Sequence, residues 1–133
     1  MSTIAFELVS PERLLVSRPV TMVTVPGSEG DFGVLPGHAP MVSTLRVGVV
    51  GIKADGEAET RFFVAGGFAE VSPERCTVLA EEAMPVAELD RAKLEDDIKR
   101  AGEELLVADT DELKERLSKR VALAQAKLAV ISH

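Results

Sequence analysis

The sequence predicts a mainly β protein with a helical end: an N-terminal antiparallel β-sandwich in residues 1–85, followed by a C-terminal antiparallel two-helix hairpin in residues 86–133. Three observations predict this fold class. Apolar residues alternate with a period of two in the first part of the chain, and turn-forming pairs separate the alternating segments. After Pro85 the spacing of the apolar residues becomes helical.

The first part of the chain has the pattern of short strands joined by tight turns. Ile4, Phe6 and Leu8 alternate with other residues, and three later segments are rich in β-branched residues: 21–25, 47–52 and 61–64. The turn-forming pairs are Pro26-Gly27, Pro36-Gly37, Asp55-Gly56, Gly66-Gly67 and Ser72-Pro73. Asp55-Gly56 predicts a tight hairpin, because both central positions of that turn favour positive φ. Many short strands at this spacing are typical of an antiparallel sandwich or barrel.

The last part of the chain predicts two helices. The apolar stripe of the first comprises Leu94, Ile98, Ala101 and Leu105, and that of the second comprises Leu113, Leu117, Val121, Ala124, Leu128 and Ile131. Asp109, with Glu112 three residues later, has the spacing of a capping box that starts the second helix. So short a connection makes the helices antiparallel. Because so short a segment buries little core alone, we expect the hairpin to dock on the β domain or on a partner.

Composition and charge exclude several classes of protein. The formal net charge is −7, and Trp and Tyr are absent, so neither a phosphate backbone nor a stacked base is an expected partner. No apolar run is long enough to span a membrane, and the first residues show no basic leader. Cys76 is the single cysteine, which favours a reducing compartment. We therefore expect a soluble protein that faces the cytoplasm and has no nucleic-acid partner.

The residues that catalysis needs do not form a recognisable set. His38 lies between two prolines, where a hydrogen-bonding structural role is the usual one, and Cys76 lies in a predicted strand, where a buried thiol is usual. One Cys and two distant His do not make a zinc site. The segment Gly27–Gly33 lacks the Lys-Ser/Thr of a P-loop. Its three glycines instead indicate special backbone angles around an exposed turn, with Glu29 and Asp31 as an acidic tip.

The two predicted helices carry opposite charge. Residues 88–104 contain seven acids and four bases, whereas residues 113–133 contain one acid and five bases: Lys114, Arg116, Lys119, Arg120 and Lys127. Mutual attraction of the helices with a solvated face is one interpretation. A basic helix that binds an acidic partner surface is the other.

Residues 25–40 (VPGSEGDFGVLPGHAP) closely resemble the signature of the epsilon subunit of F-type ATP synthases. Residues 44–50 (TLRVGVV) resemble the strand that follows the signature, residues 62–71 (FFVAGGFAEV) resemble the later hairpin of the family, and residues 6–12 (FELVSPE) fit as well. The resemblance covers residues 3–82. The C-terminal hairpin matches in architecture and only loosely in sequence.

The resemblance implies a ten-stranded β-sandwich with two C-terminal helices, and a place in the central rotor stalk. Its implied partners are the gamma subunit and the c-subunit ring, so membrane association would come only through the complex, at the cytoplasmic face of a bacterial inner membrane. Members of the family are not catalytic. They couple the ring to gamma, and in many bacteria they restrain ATP hydrolysis.

Residue roles follow from the same resemblance. The turn Glu29, Gly30 and Asp31 matches the loop that contacts the c-ring, and the segment facing gamma comprises His38, Ala39, Pro40, Met41, Val42, Ser43 and Thr44. The hairpin of the family extends so that its basic second helix reaches the alpha and beta subunits. The five bases of residues 113–133 suit that inhibitory role. The resemblance implies no metal site.

Some bacterial relatives bind ATP at a motif of Ile or Leu, Asp, two variable residues, Arg and Ala. Here Leu89 and Asp90 match, whereas Lys93 replaces Arg and Leu94 replaces Ala. A Lys lacks the bidentate fork that Arg offers to a phosphate. The partial match leaves one alternative function, a nucleotide-sensing domain that folds its hairpin around ATP. Helix packing is the other explanation of these residues. A small enzyme would have only His38 and Cys76 to use.

Overall fold

The structure is a computed structural model that describes residues 2–132. Its elements are β1 (Ile4–Val9), β2 (Leu14–Val20), β3 (Met22–Gly27), β4 (Gly30–Val34), β5 (Met41–Thr44), β6 (Gly48–Lys53), β7 (Thr60–Val71), β8 (Arg75–Pro85), a 3-10 turn (Val86–Glu88), α1 (Arg91–Leu106) and α2 (Asp111–Ile131). The chain divides into two compact units, with the boundary between Ala87 and Glu88. The predicted fold class, a β-sandwich followed by two helices, is confirmed.

The strands are hydrogen-bonded in the order β2-β1-β8-β7-β6-β3-β4, and β5 pairs with β7 outside this path. Every pair is antiparallel except β1 with β8, which is parallel. The expectation of purely antiparallel pairing is wrong at this one place. A period-two pattern reports which face of a strand is buried, but it carries no information on the direction of a distant partner.

The described residues contain eight strands, not the ten that the resemblance implied. Strands β7 and β8 are long and run side by side in one register from the pair Phe62–Pro85 to the pair Val71–Cys76, with no pair at Gly66. The two ends of β7 have different second neighbours, because residues 60–64 pair with β6 and residues 68–71 pair with β5. β7 is therefore one long strand that pairs with β6 at one end and with β5 at the other.

The core of the β unit is mainly aliphatic, with Phe6 and Phe62 as buried aromatic members. It consists of Leu45 and of inward-facing residues of every strand except β5, with Ile4, Phe6 and Leu8 of β1 fully buried, as their period-two spacing predicted. Cys76 and Val78 of β8 belong to the same core, which also includes Val23, Val25, Val34, Val50 and Val64. Burial of this surface provides the main stabilisation of the unit.

The connection between β6 and β7 is longer than the predicted tight hairpin. Residues 54–59 separate the two strands, and within them Gly56 has φ +77. The amide of Glu57 donates to the carbonyl of Ala54 at 3.1 Å, which closes the turn around Asp55-Gly56. The turn was therefore located correctly, but the ladder does not continue up to it.

The two helices form an antiparallel hairpin whose predicted stripes face inward. All ten stripe residues are buried or half-buried, with Ala101, Leu117 and Ala124 the most buried. The predicted capping box at Asp109 is wrong. Thr110 is the N-cap of α2, and its hydroxyl accepts a hydrogen bond from the amide of Leu113 at 3.2 Å. Both residue types cap helices well, and the extended backbone of Thr110 decides between them.

Candidate partner-binding surfaces

The turn between β3 and β4 holds the residues that the resemblance assigns to the c-ring. Ser28 and Glu29 are its two turn residues, and Gly30 and Asp31 already belong to β4. Glu29 is exposed at the tip. Asp31 lies opposite Pro26 in the ladder, where its carboxylate forms an ion pair with the guanidinium of Arg46. The acidic tip that the sequence predicted therefore consists of one carboxylate in the turn and one beside it that is paired with a base.

The glycines of this segment have different reasons to be glycine. Gly30 has φ +135, which side chains rarely adopt, so it fits the expectation of a special backbone angle. Gly27 and Gly33 have no such angle, and for them that expectation is wrong. A Cβ on Gly27 would lie 2.8 Å from the carbonyl oxygen of Gly30, and one on Gly33 would lie 2.8 Å from the Met22 side chain. Space, rather than conformation, requires glycine at position 27, where the obstacle is backbone, whereas at position 33 the flexible end of the Met22 side chain can move aside.

The segment that the resemblance assigns to gamma is a loop followed by strand β5. The Nδ1 of His38 lies 2.7 Å from the carbonyl oxygen of Ala39. Since a carbonyl oxygen only accepts, Nδ1 carries the proton and donates it. This contact fits the structural role predicted for His38. Pro40, Met41, Val42 and Thr44 are exposed, and Ser43 is half-buried.

Strand β5 presents apolar side chains to solvent. Val42 is 70% exposed, and Leu35, Met41 and Val47 are also among the exposed large hydrophobic residues. Met41 and Val42 belong to β5 itself, Leu35 precedes this strand in the sequence and Val47 follows it. Exposed apolar residues of this kind are candidates for contact with a partner. We call Leu35, Met41, Val42 and Val47 the β5 apolar surface.

The basic residues of α2 are divided between the hairpin and the solvent. Arg120 pairs with Asp97 and, at 4.0 Å, with Glu104 of α1, and its hydrogen bond is the main reason why the pKa of Asp97 is lowered. Lys119 pairs with Glu115 one turn earlier at 3.2 Å. Lys127 adds a smaller electrostatic contribution to the lowered pKa of Asp97. Lys114 and Arg116 are exposed near the start of the helix.

The candidate nucleotide residues lie at the start of α1. Asp90 is the N-cap of this helix, and its carboxylate accepts a hydrogen bond from the backbone amide of Lys93 at 3.2 Å. The Lys93 side chain is exposed. Capping therefore accounts for an Asp at position 90 without a ligand.

Cys76, one of the two residues that a small enzyme would have to use, is not available for catalysis. The Cys76 thiol is fully buried, and burial raises its pKa to about 11, so at neutral pH it is not a nucleophile. Across residues 2–132, no three His, Cys, Asp or Glu side chains are arranged to hold a metal ion. Nor is any helix within that range long and apolar enough to cross a membrane.

Sequence reasoning missed two groups of contacts. One ties Ser28 and Asp31 to Thr44 and Arg46, and the other ties Arg120 to α1. For Arg120, the opposite charge of the two predicted helices was the signal, although it did not identify the partner. For Arg46 nothing local distinguished it from any other exposed base.

Comparisons with known proteins agree with the resemblance. The profile of the family described as ATP synthase, Delta/Epsilon chain, beta-sandwich domain matches residues 3–86. The ATP synthase epsilon chain of Rhodospirillum rubrum is 49% identical over 127 residues, which are 96% of this chain and 95% of the relative. That of Paramagnetospirillum magneticum is 51% identical over 129 residues, 97% of each chain.

Solved structures share the fold at low sequence identity. A chain of the Euglena gracilis mitochondrial ATP synthase, determined as an OSCP/F1/c-ring assembly, has a TM-score of 0.81 and 24% identity, and the match covers 97% of this chain and 81% of that one. A chain of the Tetrahymena thermophila mitochondrial ATP synthase central stalk and c-ring has a TM-score of 0.63 and 14% identity, with 97% and 96% covered. From the family profile and the close relatives, we conclude that this chain belongs to the ATP synthase epsilon-chain family, a non-catalytic subunit of that complex.

Proposed function

We propose that the chain is a central-stalk rotor subunit, which couples rotation of the c-ring to the gamma subunit. It would act at the cytoplasmic face of a bacterial inner membrane, as a peripheral part of the synthase. One observation carries this proposal: the acidic β3–β4 turn and the β5 apolar surface are neighbours on a single β unit. A subunit that transmits rotation needs two contact surfaces in fixed relation.

The β5 apolar surface is the proposed gamma contact. Its side chains are exposed although the strand backbone is ordered by pairing with β7. A partner that covers them removes apolar area from water without the cost of ordering a loop. The loop from His38 to Pro40 would extend the same contact.

The β3–β4 turn is the proposed c-ring contact. Its tip presents the carboxylate of Glu29 to solvent, and a two-residue turn between paired strands fixes the backbone of this residue. A charged tip of this kind suits a polar, basic loop on the partner. The two solved structures with this fold come from assemblies that include a c-ring, which supports the assignment.

The gamma contact is tested by Val42→Asp, with Leu14→Asp as the matched control. Leu14 is also an exposed apolar residue of a strand, but it lies on β2. We expect Val42→Asp to weaken the micromolar or tighter complex with gamma by about tenfold or more, because a carboxylate would replace buried apolar area. Leu14→Asp should bind as the original chain does. If the unaltered chain forms no complex with gamma, the proposed function is wrong.

We further propose that α2 restrains ATP hydrolysis through contacts with the alpha and beta subunits. Lys114, Arg116 and Lys119 lie on its exposed surface. Together with Arg120 and Lys127, they outnumber the three acids of the helix, Asp111, Glu112 and Glu115. Deletion of residues 107–133 should raise the ATPase activity of the assembled complex. The double variant Lys114→Glu, Arg116→Glu should do the same, whereas Lys99→Glu on α1 should not. Unchanged hydrolysis in the deletion would leave α2 without an inhibitory role.

The match of Leu89 and Asp90 to an ATP motif favours the alternative of a nucleotide-sensing domain. Calorimetry on the chain separates the two functions. Asp90→Ser is the appropriate variant, because serine preserves the helix cap and removes the carboxylate. We expect ATP to bind more weakly than millimolar in both forms. Binding tighter than this that Asp90→Ser abolishes would favour the alternative.

A further inference from the structure

The β3–β4 turn is tied to the end of β5 by a set of hydrogen bonds. The Thr44 hydroxyl donates to the Ser28 hydroxyl at 2.7 Å, and the Ser28 amide donates to the Thr44 carbonyl at 2.9 Å. Gly27 and Leu45 form an antiparallel bridge just beyond. The amide of Arg46 then donates to the carbonyl of Pro26 at 3.0 Å. Two segments far apart in the sequence are therefore joined as a short piece of sheet.

The side chain of Arg46 completes this junction. Its guanidinium pairs with the Asp31 carboxylate on β4 and lies over Gly48 at the start of β6. A Cβ on Gly48 would come within 3.1 Å of Nη1 of Arg46 and within 2.8 Å of Cβ of Pro26. The lack of a side chain at position 48 thus leaves the space that Arg46 occupies. We call Ser28, Asp31, Thr44 and Arg46 the clasp.

The two acids of the turn, Glu29 and Asp31, differ in their ion pairing. Asp31 is compensated by Arg46 and lies in a paired strand, so little of its charge is offered to a partner. Glu29 lies in the turn and is exposed, and the ion pairs found among residues 2–132 do not include it. Of the two carboxylates, Glu29 is the one available for recognition.

We propose that the clasp transmits the position of the ring-contact turn to β5, so that Arg46 is a positioning residue for coupling and Glu29 supplies the charge that the ring recognises. This inference rests on the proposed function, since it joins the two contacts that the function requires. Without the Arg46–Asp31 pair, the β3–β4 hairpin would still be held by its ladder to β6 and by its backbone bonds to residues 44–46, but the side-chain link between β4 and the end of β5 would be lost.

The clasp acts on position more than on stability. The Arg46 and Asp31 side chains are 47% and 58% exposed, and an ion pair so exposed to solvent adds little to the free energy of folding. The backbone bonds around it remain when the Arg46 side chain is removed. A clasp variant should therefore fold and bind gamma, and its defect should appear when both partners are present.

The experiment compares Arg46→Met with Arg18→Met in the complex reconstituted in vesicles. Arg18 pairs with Glu57 at similar exposure, 45% and 54%, but away from the turn, so it controls for the loss of any exposed ion pair. We expect Arg46→Met to lower the ratio of proton-driven ATP synthesis to ATP hydrolysis several-fold and to leave the affinity for gamma unchanged. Arg18→Met should leave both unchanged. Restoring the pair in reverse, with Asp31→Arg and Arg46→Glu together, should recover the ratio.

The two acids are then compared by the salt dependence of binding to the c-ring, measured with the gamma complex as carrier. Glu29→Gln should flatten this dependence, because it removes the charge that faces the partner. Asp31→Asn combined with Arg46→Gln removes the ion pair without changing the net charge, so this variant should leave the slope and share the coupling defect of Arg46→Met. Equal slopes for the two variants, or normal coupling in Arg46→Met, would overturn the inference. If the unaltered chain fails to bind gamma or the ring, the proposed function itself is at fault.

Discussion

Gly67 of β7 lies against the backbone of β8, opposite Ala80. It has φ +99, and a Cβ there would lie 1.9 Å from the carbonyl oxygen of Leu79, part of the backbone of β8. Gly56 has a similar φ of +77, but nothing lies within 4 Å of its Cβ position. The two positions therefore separate backbone strain from steric overlap.

We expect Gly67→Ala to lower the free energy of unfolding by about 3 kcal/mol or more, because strand β8 would have to move. Gly56→Ala should cost only about 1 kcal/mol, the price of a left-handed conformation for an L-residue. Urea denaturation of both variants measures the difference. Equal losses of unfolding free energy would mean that the backbone of β8 shifts at Leu79 with little cost.

Burial of the Cys76 thiol makes stability depend on alkaline pH. Its pKa is about 11 in the folded protein against an ordinary value of 9.0, so the unfolded chain loses this proton first as the pH rises. The contribution of the thiol is fully present below pH 9. Between about pH 9 and 11 it is lost, at up to about 1.4 kcal/mol per pH unit.

The measurement is the unfolding free energy of the original chain minus that of Cys76→Ala as a function of pH. Lysines titrate in the same range, but they are the same in both proteins and cancel. The cavity left by Ala adds a constant offset. We expect the difference to fall above pH 9, and a difference that stays constant to pH 11 would show that the thiol ionises as readily in the folded chain.

Single residues show how far a sequence can be interpreted. The buried state of Cys76 could be predicted, because it depends only on an alternating pattern in its own strand. The ion pair between Asp31 and Arg46 in the clasp could not be predicted, because it depends on the register of segments that are brought together by the whole sheet. Gly27 and Gly33 were expected to adopt unusual angles, since a sequence does not reveal which neighbour crowds a glycine.

At the scale of elements, the start of α2 offers a direct comparison between two adjacent capping residues. Thr110→Ala should lower the stability of the hairpin by about 1 kcal/mol, because it removes the hydroxyl that accepts from the Leu113 amide. Asp109→Ala should have a smaller effect, since Asp109 precedes the cap. Helical circular dichroism during thermal unfolding measures both. A larger loss of stability in Asp109→Ala than in Thr110→Ala would show that Asp109 caps the helix.

The helices were predictable as elements and their ends were not. Both apolar stripes are local patterns with a period near 3.6 residues, so they can be recognised without knowledge of the fold. The strands were equally predictable, but the parallel pairing of β1 with β8 was not, because two sequences with the same alternation pair in either direction. The ten strands that the resemblance implied became eight for a related reason. The Gly66-Gly67 pair indicated a turn, yet β7 passes through it as a strand.

At the scale of the whole molecule, the core cluster of the β unit draws every member from residues 4–83. We expect a chain that ends at Ala87 to keep its β-sheet circular dichroism and to unfold cooperatively in urea. Val50→Asp in the shortened chain provides an unfolded reference, because it places a charge in the core. A broad, non-cooperative transition in the unaltered shortened chain would show that the β unit depends on the hairpin.

The parallel pairing of β1 with β8 also has a kinetic consequence. The first strand of the chain finds its inner neighbour only in the last strand of the unit, with Ala5 beside Arg75, so the sheet cannot close until nearly all of the unit has been synthesised. Contacts between such distant residues slow folding, whereas the α1–α2 hairpin needs only local contacts. On the ribosome, the amino-terminal strands therefore wait with an unpaired edge. The risk of aggregation is highest during that interval, before the chain is released.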